Sequence, residues 1–158
     1  LGDEALIKDI SPQLLDAIDY CHALGIYHRE LKTENVLCFD DGLRLAITDF
    51  GLVATEKVSG ECHNGSVYHM SPGSCFPFIS FFRMRSLMFN DTCSLGIILL
   101  NLATGRNPWK SAAADDPTFQ TFLRDPLNFL RSALPISSEV NDILSLFMRK
   151  NPFCCFFR

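Results

Sequence analysis

Apolar positions first recur with a helical period in "SPQLLDAIDYCHALG", residues 11–25, where Leu14, Leu15, Ile18, Cys21 and Leu24 fall on one face. Ser11 has N-cap chemistry, Pro12 suits a first helical position and Gly25 is a stop signal, so the pattern predicts a helix over these residues. The period then shortens. "VLCFDDGLRLAI", 36–47, holds two apolar runs separated by Asp40, Asp41 and Gly42, the composition of a β-hairpin. Residues 52–73 mix Gly, Ser, His and Pro without period and read as a long loop. "DTCSLGIILLNLATG", 91–105, is apolar nearly all round and ends at Gly105, which predicts a buried central helix with a glycine cap. Two amphipathic helices are expected after it, over Pro117 to Arg124 and Ser138 to Arg149.

Two stretches break this pattern. "GSCFPFISFFRMRSLMFN", 73–90, holds five phenylalanines with neither the helical nor the strand period, and "NPFCCFFR", 151–158, has the same texture. Aromatic runs of this kind either form buried structure or arise from translated intron or a shifted reading frame, and composition leaves both readings open.

A chain of 158 residues suits one domain with a real core. Hydrophobic residues make up 47% and charged residues 20%, and the net charge of −4 gives no general attraction to nucleic acid or an anionic membrane, so neither is expected as a partner. The longest apolar run, "LGIILLNLA" at 95–103, is shorter than the roughly 20 residues that span a bilayer. Leu1 opens no signal-peptide pattern, and the expectation is an intracellular protein of the cytoplasm or nucleus. Of the seven cysteines, Cys21, Cys38, Cys62, Cys75 and Cys93 lack metal-ligand spacing and only Cys154 and Cys155 adjoin, so they read as reduced thiols.

The candidate chemistry lies between the first helix and the hairpin, in "GIYHRELKTENVLC", 25–38. It offers an acid at Glu30, an ammonium at Lys32 and an amide oxygen at Asn35, and "TDFG" beyond the hairpin adds the carboxylate of Asp49. Transfer of a γ-phosphoryl group needs groups that orient a hydroxyl, neutralise phosphate oxygens and offer hard oxygen ligands to magnesium. Each piece alone is most often a solvated turn; the ordered set is specific.

"HRELKTEN" followed by "DFG" resembles the H-R-D-L-x-x-x-N and D-F-G pair of eukaryotic protein kinases, and Lys32 resembles the serine/threonine class. "GSVYHMSP", 65–72, resembles the substrate-binding end of an activation loop, and "NDTCSLGIILLNLATGRNPW" the central helix and following loop of the C-terminal lobe. More narrowly, "GSVYHMSP", "GRNPWKSA" and "FLRDPLNFLRSALPIS" are similar to fungal serine/threonine kinases that restrain sexual differentiation and meiosis. The resemblance implies a mainly α fold with a small β-hairpin, a protein-kinase-like C-terminal lobe over 1–158 in which 73–90 and 151–158 are atypical. It also implies ATP and Mg2+ as cofactors and a protein substrate. Glu30, Lys32, Asn35 and Asp49 are then the catalytic candidates. Asn35 and Asp49 would hold magnesium, Lys32 would reach the transferred phosphate, Glu30 would accept the hydroxyl proton and Leu37 would lie beneath adenine. His28 and Phe50 would pack in an internal apolar column, Asp91 would brace the catalytic loop, Arg29 would meet an activation-loop phosphate and Ser66 would contact the catalytic acid. Thr55, Ser59 and Ser66 are loop hydroxyls open to phosphorylation.

The sequence also departs from the family pattern. Glu30 stands where the family has aspartate, moving the carboxylate outward by one C–C bond, roughly 1.5 Å, and a misplacement of about 1 Å can cost on the order of 100-fold in rate. No Gly-rich loop or V-A-I-K lysine precedes residue 11, so the N-lobe is absent from these residues and weak ATP binding is expected. Gly73 replaces the glutamate after "SP", Cys93 replaces a tryptophan, and near Cys155 the arginine that pairs with that glutamate is missing. Losing one partner of a buried ion pair costs about 3–5 kcal/mol, whereas losing both is milder. The expectation is a serine/threonine kinase by family with little or no activity as this chain. The alternatives are a pseudokinase-like binding module and a non-functional truncated gene product.

Overall fold

The computed structural model describes residues 4–40, 43–55, 58–59, 85–113, 115–125 and 128–149. The first helix, α1, spans Glu4–Ala23 and therefore starts well ahead of Ser11, with Pro12 inside it. The buried stripe is Ile10, Leu14 and Ile18, whereas Leu15 and Leu24 are exposed. That i, i+4, i+8 stripe crosses Pro12, so burial on both sides of the proline holds one continuous helix against the loss of a backbone donor. The Gln13 side-chain amide donates to the Asp9 carbonyl at 3.2 Å in the same turn, adding a bond where Pro12 has none to give. The helix ends as expected at Gly25, whose φ of 72° lets its N–H reach the His22 carbonyl at 3.0 Å and the Ile26 N–H reach Cys21 at 2.9 Å.

The hairpin forms as expected from β1, Val36–Phe39, and β2, Arg44–Ile47, paired antiparallel from Val36↔Ile47 to Phe39↔Arg44. Gln13 ties it to α1, its Oε1 accepting the Leu45 N–H at 3.1 Å, and Leu45 and Ile47 pack against the core that Ile10, Leu14 and Ile18 help to form. The long loop expected over 52–73 carries some order at its start. Phe50–Leu52 forms one 3-10 turn, Tyr27 and Ala54 make a β-bridge, and a short strand β3, Val58–Ser59, pairs with β4, Arg85–Ser86.

The central helix α2 spans Leu87–Thr104 and starts earlier than Asp91, so the end of the aperiodic 73–90 stretch is helical. Its buried residues fall on nearly every face, and it packs against α1 and against α5, Ser138–Arg149. By length and apolar character alone α2 could cross a membrane; in the fold it is the axis of the core. Gly105, at φ 68°, ends it by donating to the Asn101 carbonyl at 2.7 Å.

Two further helices complete the described fold, α3 at Pro117–Arg124 and α4 at Phe129–Ala133, the second of which has no clear signal in the sequence. Trp109, Phe119, Phe122 and Phe129 form an aromatic cluster with ring centroids 4.9–6.1 Å apart. Asp116 caps α3, its carboxylate accepting the N–H groups of Phe119 at 2.8 Å and of Lys110 and Ser111 at 3.0 Å. Burial opposes ionisation of Asp116, but the N–H groups of Phe119, Ser111, Lys110 and Thr118 outweigh it and hold the carboxyl below its ordinary range. Ser66, Gly73, Cys155 and the whole of 151–158 lie outside the described residues, while Cys93 is buried in α2.

Candidate functional site

The loop from His28 to Asn35 is held from beneath by Asp91, a fully buried carboxylate near the start of α2. Its Oδ2 accepts the His28 N–H at 2.8 Å and its Oδ1 the Arg29 N–H at 2.8 Å. His22, near the end of α1, donates from Nε2 to the same Oδ2 at 3.0 Å. Arg29 sits at φ 71°, a left-handed conformation that costs a side-chain-bearing residue roughly 1–2 kcal/mol. The two amide bonds to Asp91, with the Asn90 side-chain amide donating to the Arg29 carbonyl at 3.3 Å, hold it there.

His28 is fully buried, and its two ring nitrogens join the two halves of the site. Nδ1 accepts the Glu30 N–H at 3.3 Å, so the opposite nitrogen, Nε2, carries the proton and donates to the Thr48 carbonyl at 2.9 Å. Phe50 packs on its ring at a centroid distance of 4.7 Å. Paired backbone bonds between Tyr27 and Ala54, at 2.8 and 2.9 Å, close the other side.

The hairpin register brings together residues that are distant in sequence. Beyond the Val36↔Ile47 pair, the Asn35 carbonyl accepts the Thr48 N–H at 2.9 Å and the Thr48 hydroxyl at 3.3 Å. Asp49 follows directly. The buried Asn35 donates its side-chain N–H to the Glu30 carbonyl at 3.0 Å, which fixes the amide so that its Oδ1 is the side chain's acceptor. Asp49, at φ 65°, makes no capping bond to the turn it precedes, and a Cβ at Gly51 would lie 3.2 Å from its Oδ1. Gly51 thus leaves the space in which that exposed carboxylate sits.

Lys32 donates from Nζ to Glu30 Oε1 at 2.9 Å. That hydrogen bond raises the Lys32 pKa above its ordinary 10.5 against an opposing desolvation, and the charges of Glu30, Asp49 and Glu34 add to the rise. The lysine therefore reports a patch of negative potential shared by Glu30 and Asp49. Among the described residues no three His, Cys, Asp or Glu side chains cluster as a metal site. A hard cation with few protein ligands needs less: an amide oxygen and a free carboxylate in a negative field fit magnesium. Leu37 is exposed on β1 and Arg29 half-buried, while Ser66 lies outside the described residues. Sequence reading missed His22, Thr48 and the Tyr27–Ala54 bridge. For His22 the signal was its place on the last turn of a helix running straight into the loop.

The geometry describes a loop and hairpin that present an acid, a lysine, an asparagine and an aspartate at one edge of a helical core. The protein kinase domain family matches residues 2–153, and the chain belongs to that family. Its relatives place it among the serine/threonine kinases. The negative regulator of sexual conjugation and meiosis of Schizosaccharomyces pombe is 37% identical over 96% of this chain and 36% of its own length. The serine/threonine-protein kinases SKS1 and VHS1 of Saccharomyces cerevisiae are 37% and 35% identical over 94% and 93% of the chain, and over 32% and 34% of their own lengths. The chain thus spans about a third of the length of these curated relatives. The family uses ATP and Mg2+ and acts on protein substrates.

Proposed function

We propose that this chain is the substrate-side part of a serine/threonine kinase domain, arranged for transfer of the ATP γ-phosphoryl group to a protein hydroxyl, with little or no turnover by the 158 residues alone. The observation that carries the reading is the junction of Asn35 with Thr48, which sets Asn35 and Asp49 at adjoining positions on the open end of the hairpin. These two would hold magnesium, which when bound shields the phosphate oxygens. Lys32 approaches the transferred phosphoryl group. Glu30 takes the proton of the serine or threonine hydroxyl as its oxygen bonds to the γ-phosphorus, and the bond to the β-phosphate oxygen breaks to release ADP.

Two features make the step slow. The Glu30 carboxylate lies about 1.5 Å further out than an aspartate would place it, and it is engaged by Lys32 at 2.9 Å. The same contact favours a second reading, a binding module that keeps a peptide-docking surface without catalysis. The test is magnesium-dependent phosphorylation of a generic basic protein, with ATP binding followed separately by calorimetry. The expected result is trace transfer by the native chain and a clear gain in Glu30→Asp when a longer chain supplies the rest of the nucleotide site. Robust transfer by the native 158-residue chain overturns the low-activity reading, and ATP binding without rescue by Glu30→Asp favours the binding module.

A further inference from the structure

We infer that the groove between α1 and α5 is an interaction surface whose partner is a second copy of this chain, docked about a two-fold axis. The groove has a volume of about 310 Å³, with the buried Leu99 of α2 and Leu144 of α5 beneath it. Its walls carry Leu15 on α1 and Ile143 on α5, which are 39% and 50% exposed. Two half-exposed apolar side chains on one apolar groove form a contiguous patch rather than scattered surface residues, and such patches mark interaction sites.

The charges at the groove select the partner. Lys8 on α1 and Glu139 on α5 are the charged side chains of its lining, both are exposed, and neither has an ion-pair partner among the described residues. An acidic ligand would match Lys8 and repel Glu139, and a basic one the reverse. A second copy matches both. An interface about a two-fold axis is self-complementary, so that where one residue meets another, the second also meets the first. An axis lying in the plane of the groove, through the midpoint of the line from Lys8 to Glu139 and perpendicular to it, sets Lys8 of each copy over Glu139 of the other. These two residues stand on opposite walls, so the same rotation lays α1 of one copy against α5 of the other and closes both grooves. The contact is small, and the dimer is expected to be weak, with a Kd in the micromolar range. No lining residue lies on the loop from His28 to Asn35 or on the hairpin, so the inference stands apart from the kinase reading.

The test is sedimentation velocity of the full chain with charge swaps at the two exposed positions. The native chain should pass from monomer to dimer as its concentration rises. Lys8→Glu alone sets two Glu–Glu contacts across the axis and Glu139→Lys alone two Lys–Lys contacts, so each variant should self-associate more weakly, on the order of tenfold or more. An equimolar mixture of the two variants should dimerise at about the native strength, because every contact across the axis is again a lysine with a glutamate. A variant that fails to fold cannot restore association, so the mixture also serves as the control for folding. A native chain that stays monomeric at about 1 mM, as it would if another segment or another protein covered the groove, overturns the inference. So does self-association that neither swap weakens, or a pair of swapped chains that do not associate when mixed.

Discussion

Asp91 Oδ1 accepts the Arg29 N–H at 2.8 Å, so a carboxylate on the central helix holds an arginine of the loop in a left-handed conformation. The bond links the least exposed element of the fold to the segment that carries the chemistry. Asp91→Ala strips three donors of a fully buried acceptor, and the variant should lose about 3 kcal/mol or more of stability. Urea denaturation compares the midpoints; a shift equivalent to less than 1 kcal/mol would show that the brace contributes little.

The Glu30–Lys32 contact has a spectroscopic consequence. Glu30→Gln removes the partner that contributes most to raising the Lys32 pKa, which should fall toward its ordinary value of 10.5. Asp49 and Glu34 still act on it, so the fall should be incomplete. Titration of the Lys32 ε-methylene by NMR tests this, and an unchanged midpoint would rule out Glu30 as the cause.

Asp116 predicts an acid limb in the stability profile. Its folded pKa lies below the ordinary 3.8, so the stabilisation is complete above that value and is lost as pH falls through the lower folded pKa. Asp116→Asn should cost about 1–2 kcal/mol at neutral pH. The gap between native and variant chains should close in strong acid, as pH falls through the lowered folded pKa. Thermal melts from pH 2 to 7 measure both; a gap independent of pH would mean that charge plays no part in the cap.

Gly105 isolates a backbone effect. A Cβ at this position meets nothing within 4 Å, yet φ is 68°, so Gly105→Ala should cost roughly 1–2 kcal/mol through conformation alone. Calorimetry of the variant should show a lowered midpoint; an unchanged one would mean that the end of α2 rearranges freely.

What could be read from the chain depended on how local the cause was. The hairpin, the glycine stops at Gly25 and Gly105 and the helix opened by Asp116 and Pro117 each follow from chemistry within a few residues, and each stands where that chemistry puts it. The start of α1 was misread because Ser11–Pro12 is a good local start signal, while the burial of Ile10 that overrides it depends on the rest of the core. Leu87 to Asn90 were hidden for a similar reason: they lie in a phenylalanine-rich run, and their helical state shows in contacts with a distant loop, such as Asn90 on Arg29. At the site, the residue types of Glu30, Lys32, Asn35 and Asp49 were legible. The brace was legible only as Asp91; its partner His22 lies on another helix, and no spacing rule links the two.

The pairing of β1 with β2 sets a parity rule for variation in this chain. Asn35 and Asp49 flank the open end of the ladder, so material added at the far turn, around Asp40 to Leu43, leaves their relation untouched. A single residue gained or lost within either strand reverses the facing of every side chain between that point and the open end. Length change at the tip is thus close to neutral, whereas within the strands only paired insertions preserve the site, so a frameshift-free single-codon deletion in 44–47 should be more damaging than a longer insertion at the turn.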